Sequence, residues 1–120
     1  LNISISSPKR GEVWWVNFDP TVGEEIKKKR PAVVISSDSL GALKVKLVAP
    51  FTAWDNSFAD KLWLVPINPD GKNGLTKLSA VDALQIRGVA VERFINKAGQ
   101  ITPFQLEEII SALAIVIEFQ

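Results

Sequence analysis

The 120-residue chain contains no cysteine and no histidine. Without cysteine there are no disulfides, no thiolate metal sites and no sulfur nucleophile. Without histidine the usual general acid–base group is gone, as are the commonest metal ligand and every Ser/His or Cys/His catalytic pairing. Methionine is absent too. Any chemistry must therefore rest on Arg, Lys, Asp, Glu, Ser and Thr. No tight carboxylate cluster is visible, so neither a catalytic metal nor a cofactor is expected. Long apolar runs are also missing. The most apolar segment, residues 109–117, is interrupted by Ser111 and falls short of the roughly 20 residues that a membrane span needs. Residues 2–7 are polar and serine-rich, unlike a secretory leader, so a cytoplasmic location without membrane contact is expected. Finally, neither sign of charge is scarce: 14 basic and 13 acidic residues leave a net +1, which is no global signature of nucleic-acid binding.

What is present fits one globular domain over residues 1–120, with 47% hydrophobic and 22% charged residues and no repeat or long linker. Residues 11–18 (GEVWWVNF) are rich in aromatic and β-branched types between Gly11 and Asp19-Pro20, and read as a strand. A polar loop follows over 20–29. Residues 31–36 (PAVVIS) form a short buried-type strand. Over 43–49, Leu43, Val45 and Leu47 alternate with Lys44 and Lys46, which predicts a strand with one wet face. A further strand is expected at 61–67, with Pro66 confining it to an edge or an end. Trp14, Trp15 and Trp63 fall in these strands and are expected in core or dimer packing. Residues 68–74 (NPDGKNG) make a turn, residues 80–91 read mainly as strand, and Lys97-Ala98-Gly99 reads as another turn. Thr102, Pro103 and Gln105 supply an N-cap, a first-turn proline and a capping box for a helix carrying Leu106, Ile109, Ile110 and Leu113 on one face. Residues 114–119 are β-branched enough to leave the helix as a last strand. The class expected is α+β: a small, strongly curved antiparallel sheet, an SH3-like half-open barrel, closed by a C-terminal helix.

Lys27, Lys28, Lys29 and Arg30 form an unbroken basic run. Taken alone, such a run is a solvated loop. The stretch from Arg10, RGEVWWVNFDPTVGEEIKKKRPAVVIS, nevertheless resembles the opening of the MazF/PemK toxins. There, an RG-acid-hydrophobic-aromatic strand leads through a Gly-x-Glu loop to Arg-Pro-apolar-Val. Val48-Ala49-Pro50-Phe51-Thr52 is similar to the family's second signature, Ser79 to Arg87 (SAVDALQIR) to its third, and SALAIVIEF near the end to its usual C-terminus. The resemblance spans nearly the whole chain, in order.

That resemblance implies a toxin of a type II toxin–antitoxin system, an endoribonuclease working as a homodimer on single-stranded RNA and held in check by an antitoxin with a disordered acidic segment. Arg30 matches the family's catalytic arginine, Thr52 its partner, and Glu25 the glutamate of the loop, with a part in catalysis or RNA contact. Ser79 and Gln85 match RNA-contacting positions. Ile26 departs from the glutamine usual after the glutamate, and Leu84 stands where a polar residue is common. The chemistry is coherent from the residues themselves. RNA carries its own nucleophile, the 2′-hydroxyl, so the enzyme supplies alignment, proton transfer and counter-charge. Arg30 offers a permanently charged planar fork for phosphate oxygens. Thr52 can hold a non-bridging oxygen, and Glu25 is the nearby carboxylate for proton transfer. Lys27, Lys28 and Lys29 can steer RNA, and Trp54, near Phe51 and Phe58, can stack on an unpaired base. Singly, each residue has a plainer reading: Arg30 as a surface residue at a strand start, Thr52 as a turn residue, and Glu24 and Glu25 as a loop neutralising its own lysines. Two alternatives to the ribonuclease share these features. One is a gyrase-poisoning toxin of the CcdB type, which relies on a C-terminal Trp-Gly-Ile whereas this chain ends Ile117-Glu118-Phe119-Gln120. The other is an RNA-binding barrel that does not cut.

Overall fold

A computed structural model describes residues 7–40 and 43–119. Seven strands are joined mostly by loops and single 3-10 turns: β1 (Glu12–Asn17), β2 (Lys29–Val34), β3 (Val45–Ala53), β4 (Leu64–Ile67), β5 (Ser79–Asp82), β6 (Arg87–Ala90) and β7 (Phe94–Gln100). One helix, α1 (Pro103–Ile117), ends the fold. The sheet runs β4-β5-β3-β2-β1-β7, every pair antiparallel, with β6 beside the first half of β3. It stays open, as a half-open barrel requires. β3 is long enough to pair with β6 through Val45 to Val48 and with β5 through Phe51 to Ala53, so one strand ties both halves together.

The near-continuous apolar sequence of β1 reflects burial on both faces. Val13 belongs to a core between the sheet and α1, with Val33, Ala49, Phe51, Val81 and Ile109. Trp14, Val16 and Phe18 belong to a second core inside the curled sheet, with Ala32, Val34, Val48 and Val89. Period-2 alternation sends neighbours into different cores, and each fully buried Val or Ile contributes roughly 1.5–3 kcal/mol.

Helix α1 starts as its sequence dictates. Thr102 accepts from the Gln105 backbone N–H, and the Gln105 side chain accepts from the Thr102 N–H. Ile109 and Ala112 are its buried contact with the sheet. The helix runs on to Ile117 and stops at Glu118, whose φ of 57° supplies a left-handed cap. The expected last strand at 114–119 therefore does not form. An i-to-i+4 hydrogen-bond ladder already begun by a strong N-cap outweighs the weak strand preference of Ile115, Val116 and Ile117.

Four further expectations need correction. In β3 the wet face is the apolar one: Val45 and Leu47 are 54% and 38% exposed, while Lys46, opposite Val89, is only 8% exposed. The strand predicted at 61–67 begins only at Leu64, so Trp63 lies in a turn. The stretch read as one strand over 80–91 breaks into β5, a 3-10 turn (Ala83–Gln85) and β6, because buried Asp82 caps the turn by accepting from the Leu84 N–H. The turn at 97–99 is a bulge within β7: Val13 pairs with Gly99 and Trp14 with Lys97, leaving Ala98 unmatched.

The 68–74 turn packs on that bulge. A Cβ on Gly99 would stand 2.2 Å from the Lys72 carbonyl oxygen, and one on Gly74, where φ is +76°, 2.5 Å from that of Ala98. Asn73 is wholly buried beneath, donating to the Asn68 carbonyl and accepting from the Leu75 N–H. This contact sets the path of residues 74–77, which form one wall of the cavity described next.

Candidate nucleic-acid interface

Beyond the last pair of β2 with β3, where β2 continues on β1 and β3 on β5, a cavity of about 260 Å³ opens. Its lining includes Lys28, Lys29, Arg30 and Lys77, the hydroxyl residues Thr52, Thr76 and Ser79, and Trp15. The register of β2 on β3 pairs Ala32 with Pro50. The pairs end there, and Arg30 and Thr52, two residues further along each strand, both line the cavity. Thr52 in turn pairs with Ala80, and Ser79 with Ala53, which brings the start of β5 to the same rim. Residues far apart in sequence converge because β3 is shared by its two neighbours.

Four cationic side chains and no carboxylate line this cavity. Arg30 is half-buried, its Nε donating to the Lys27 carbonyl at 2.8 Å. Among the described residues it has no ion-pair partner, so the ends of its guanidinium fork are available to a ligand. Concave positive charge with adjacent hydroxyls favours a phosphate, and backbone phosphates are the dominant attraction of nucleic acids. The Ser79 hydroxyl donates to the Lys77 carbonyl at 3.0 Å, fixing the approach of Lys77.

Glu25 and Gln85 line a neighbouring cavity of about 390 Å³ with Phe18, Glu24, Ile26 and Arg87, and the two cavities share no lining residue. One Glu25 carboxylate oxygen accepts from the Val22 N–H at 2.7 Å, closing a turn in the loop between β1 and β2. The Gln85 side-chain oxygen accepts from the Ile26 N–H, and its nitrogen donates to the Glu24 carbonyl at 3.1 Å. Trp54 stands apart. It meets Phe58 edge to face at 5.6 Å and lines a groove against α1 that also holds Glu107 and Glu108. Lys27 contributes its carbonyl to Arg30, and its side chain is outside the lining of the Arg30 cavity.

Sequence reasoning missed Trp15, Thr76 and Lys77. Trp15 has no signal, because its neighbour Trp14 looks the same and is buried. Lys77 carries a faint one, two residues before Ser79. It also missed two structural roles inside the recognised motifs. Glu12 accepts from the Lys9 N–H and the Trp14 indole, and meets Lys97 Nζ at 2.9 Å. Burial raises its carboxyl pKa, but those donors and the Lys97 charge outweigh burial and leave it below the usual value. Asp82 goes the other way. Burial pushes its carboxyl up, against the opposing hydrogen bonds from the Leu84 and Gln85 backbone.

Residues 9–117 match the model of one family, described as PemK-like, MazF-like toxin of type II toxin–antitoxin system. The chain is 32% identical over 111 residues to "Endoribonuclease MazF9" of Mycobacterium tuberculosis, covering 88% of this chain and 92% of that protein. Its fold matches the crystal structure of MazF from Deinococcus radiodurans with a TM-score of 0.79 at 22% identity, over 96% of this chain and all of the other. It also matches an endoribonuclease in complex with its cognate antitoxin from a mycobacterial species. There the TM-score is 0.75 at 18% identity, over 95% and 98% of the two chains.

Proposed function

Since the chain belongs to the PemK-like, MazF-like toxins of type II toxin–antitoxin systems, we propose that it is an endoribonuclease that cuts single-stranded RNA through attack of the 2′-hydroxyl. The observation that carries this reading is the carboxylate-free cavity where Arg30 and Thr52 meet Lys28, Lys29, Lys77 and Ser79. Arg30 neutralises the charge that builds on the phosphorane and hydrogen-bonds the leaving 5′ oxygen, while the 2′-hydroxyl proton passes to water and water returns a proton to that oxygen. Thr52 holds a non-bridging oxygen in line, and Lys28, Lys29 and Lys77 hold the flanking phosphates. Glu25 belongs to the adjoining cavity, which suits contact with a neighbouring nucleotide better than proton removal at the Arg30 phosphate. The carboxylates beside Trp54 repel a phosphate backbone, so the RNA path we draw runs along the Lys28 and Lys77 side.

With the 2′-hydroxyl as nucleophile and Arg30 as counter-charge, this reading assigns no step to a metal. The products then carry a 5′-hydroxyl and a 2′,3′-cyclic or 3′-phosphate. The protein works in the cytoplasm as a homodimer, controlled by an antitoxin whose acidic segment covers the loop bearing Lys27, Lys28 and Lys29. No helix among the described residues is long and apolar enough to cross a membrane. The decisive test is a long single-stranded RNA incubated with the protein in EDTA, followed by end mapping. Fragments with 5′-hydroxyl ends are expected. Uncut but bound RNA would instead make this a binding barrel, and 5′-phosphate ends would make water the nucleophile.

A further inference from the structure

The loop of residues 18–28 does not hold its own shape. At its neck Lys28 takes a φ of 73°, a left-handed conformation that a lysine disfavours. Few internal bonds steady it: the Phe18 N–H donates to the Lys28 carbonyl, Lys28 N–H to Asp19, and Val22 and Glu25 close one turn. Phe18 is anchored in the core, and among the described residues the hydrogen bonds that tie the loop to other elements come from one segment, residues 85–93. Arg93 Nη1 donates to the carbonyls of Asn17, at 3.1 Å, and Asp19. Arg87 Nη1 reaches the Phe18 carbonyl at 3.3 Å, with its guanidinium 5.6 Å from the centre of the Phe18 ring. Gln85 takes the returning side of the loop with two bonds, from the Ile26 N–H and to the Glu24 carbonyl.

The position of the Gln85 bonds matters most. Ile26 directly precedes Lys27, whose carbonyl accepts from Arg30 Nε. The Ile26 N–H lies two peptide units before the Lys27 carbonyl, so a restraint on it limits the travel of the short segment that orients the guanidinium. Resting on the ribonuclease reading above, we propose that Gln85, assisted by Arg87 and Arg93, is a positioning residue that aims Arg30 through the loop backbone rather than a residue that reads RNA. Both polar atoms of its amide already serve the loop, which holds the side chain in one orientation toward the backbone.

The loop itself offers a readout independent of RNA, because Lys27, Lys28 and Lys29 are three consecutive trypsin sites, the bond after Arg30 being protected by Pro31. Gln85→Ala should speed tryptic nicking there by about tenfold while the thermal midpoint stays put, since local opening tracks local restraint. Gln85→Glu keeps the acceptor but loses the donor to the Glu24 carbonyl, and should loosen the loop to an intermediate extent. On RNA, single-turnover rate should fall by roughly ten- to a hundredfold, the scale of a small misplacement of a catalytic group. Affinity for a 2′-deoxy substrate should hold. In an Arg30→Ala background, Gln85→Ala should cost almost nothing more, because it acts through Arg30. Nicking at the wild-type rate in both variants, or an additive loss in the double variant with weakened binding, would overturn the proposal. If the wild type cuts no RNA at all, the ribonuclease reading falls, and the protease comparison still decides whether Gln85 holds the loop.

Discussion

Arg30 does its proposed work on charge that develops during the reaction, and less on the phosphate at rest. Removing such a group lowers turnover more than binding. Arg30→Ala should therefore lose about a hundredfold or more in single-turnover rate, with a much smaller loss of affinity for a 2′-deoxy analogue. Arg30→Lys should recover only part of the rate, because an ammonium cannot make the two-point planar contact. Thr52→Ala should be milder than either. A folded Arg30→Ala protein that cuts normally would remove Arg30 from the site. Glu12 allows a prediction about stability. Its folded pKa lies below the unfolded value, so its contribution is complete above that value and is lost as pH falls through the folded one. Glu12→Gln should cost stability at pH 7, and the difference in denaturant midpoint should shrink as pH falls below about 4.5, the usual glutamate range. A difference that is flat with pH would mean that the Lys97 and backbone contacts do not favour the charged form.

Among the elements, the β7 bulge and the 68–74 turn are the most sensitive joint, since backbone meets backbone there with no room for a side chain. Gly99→Ala forces its new Cβ against the Lys72 carbonyl. We expect a loss of at least about 1–3 kcal/mol, the usual cost of overpacking, read by chemical denaturation. Because that turn leads into Thr76 and Lys77, cleavage should fall by more than the unfolded fraction alone accounts for. Wild-type stability in Gly99→Ala would show that the turn can lift away. The same joint illustrates what one strand signal hides: glycine at a bulge and glycine at a turn look alike in sequence, and only the unmatched Ala98, between the Val13–Gly99 and Trp14–Lys97 pairs, distinguishes them.

At the scale of the whole molecule, four cationic side chains gather at one cavity. With four cations around one cavity and a single-strand coefficient of about 0.7 per phosphate, the logarithm of RNA affinity should fall with log salt at a slope of roughly −3. A slope near zero would mean that these lysines do not carry the RNA. Elsewhere Leu40, Leu43, Val45 and Leu47 are all exposed. Such a strip is what a partner surface covers, and in the proposed homodimer it is the natural contact. Leu47→Glu should then shift the protein toward monomer in sedimentation at micromolar concentration, with the fold retained. A wild type that is already monomeric there would refute the dimer.

The elements whose signals are local were legible from sequence alone. The capping box at Thr102 and Gln105 started the helix, the Asp70-Gly71 and Asn73-Gly74 pairs made the turn, and short runs of aromatic and β-branched residues made β1 and β2, because each depends on neighbours within a few residues. The motifs also grouped Arg30, Thr52 and Ser79 before any geometry was known. Tertiary structure decided the rest. It turned the apolar face of β3 outward, since the alternation of that strand gives period and not direction, and the faces were assigned by what β6 and the curled sheet cover. It split Ser79 to Ala90 at buried Asp82, separated Glu25 and Trp54 from the Arg30 cavity, and recruited Lys77 and Trp15 to it. Each of those outcomes depends on contacts between segments far apart in the chain, where the register of β3 on its neighbours, and no local preference, determines which side chains meet.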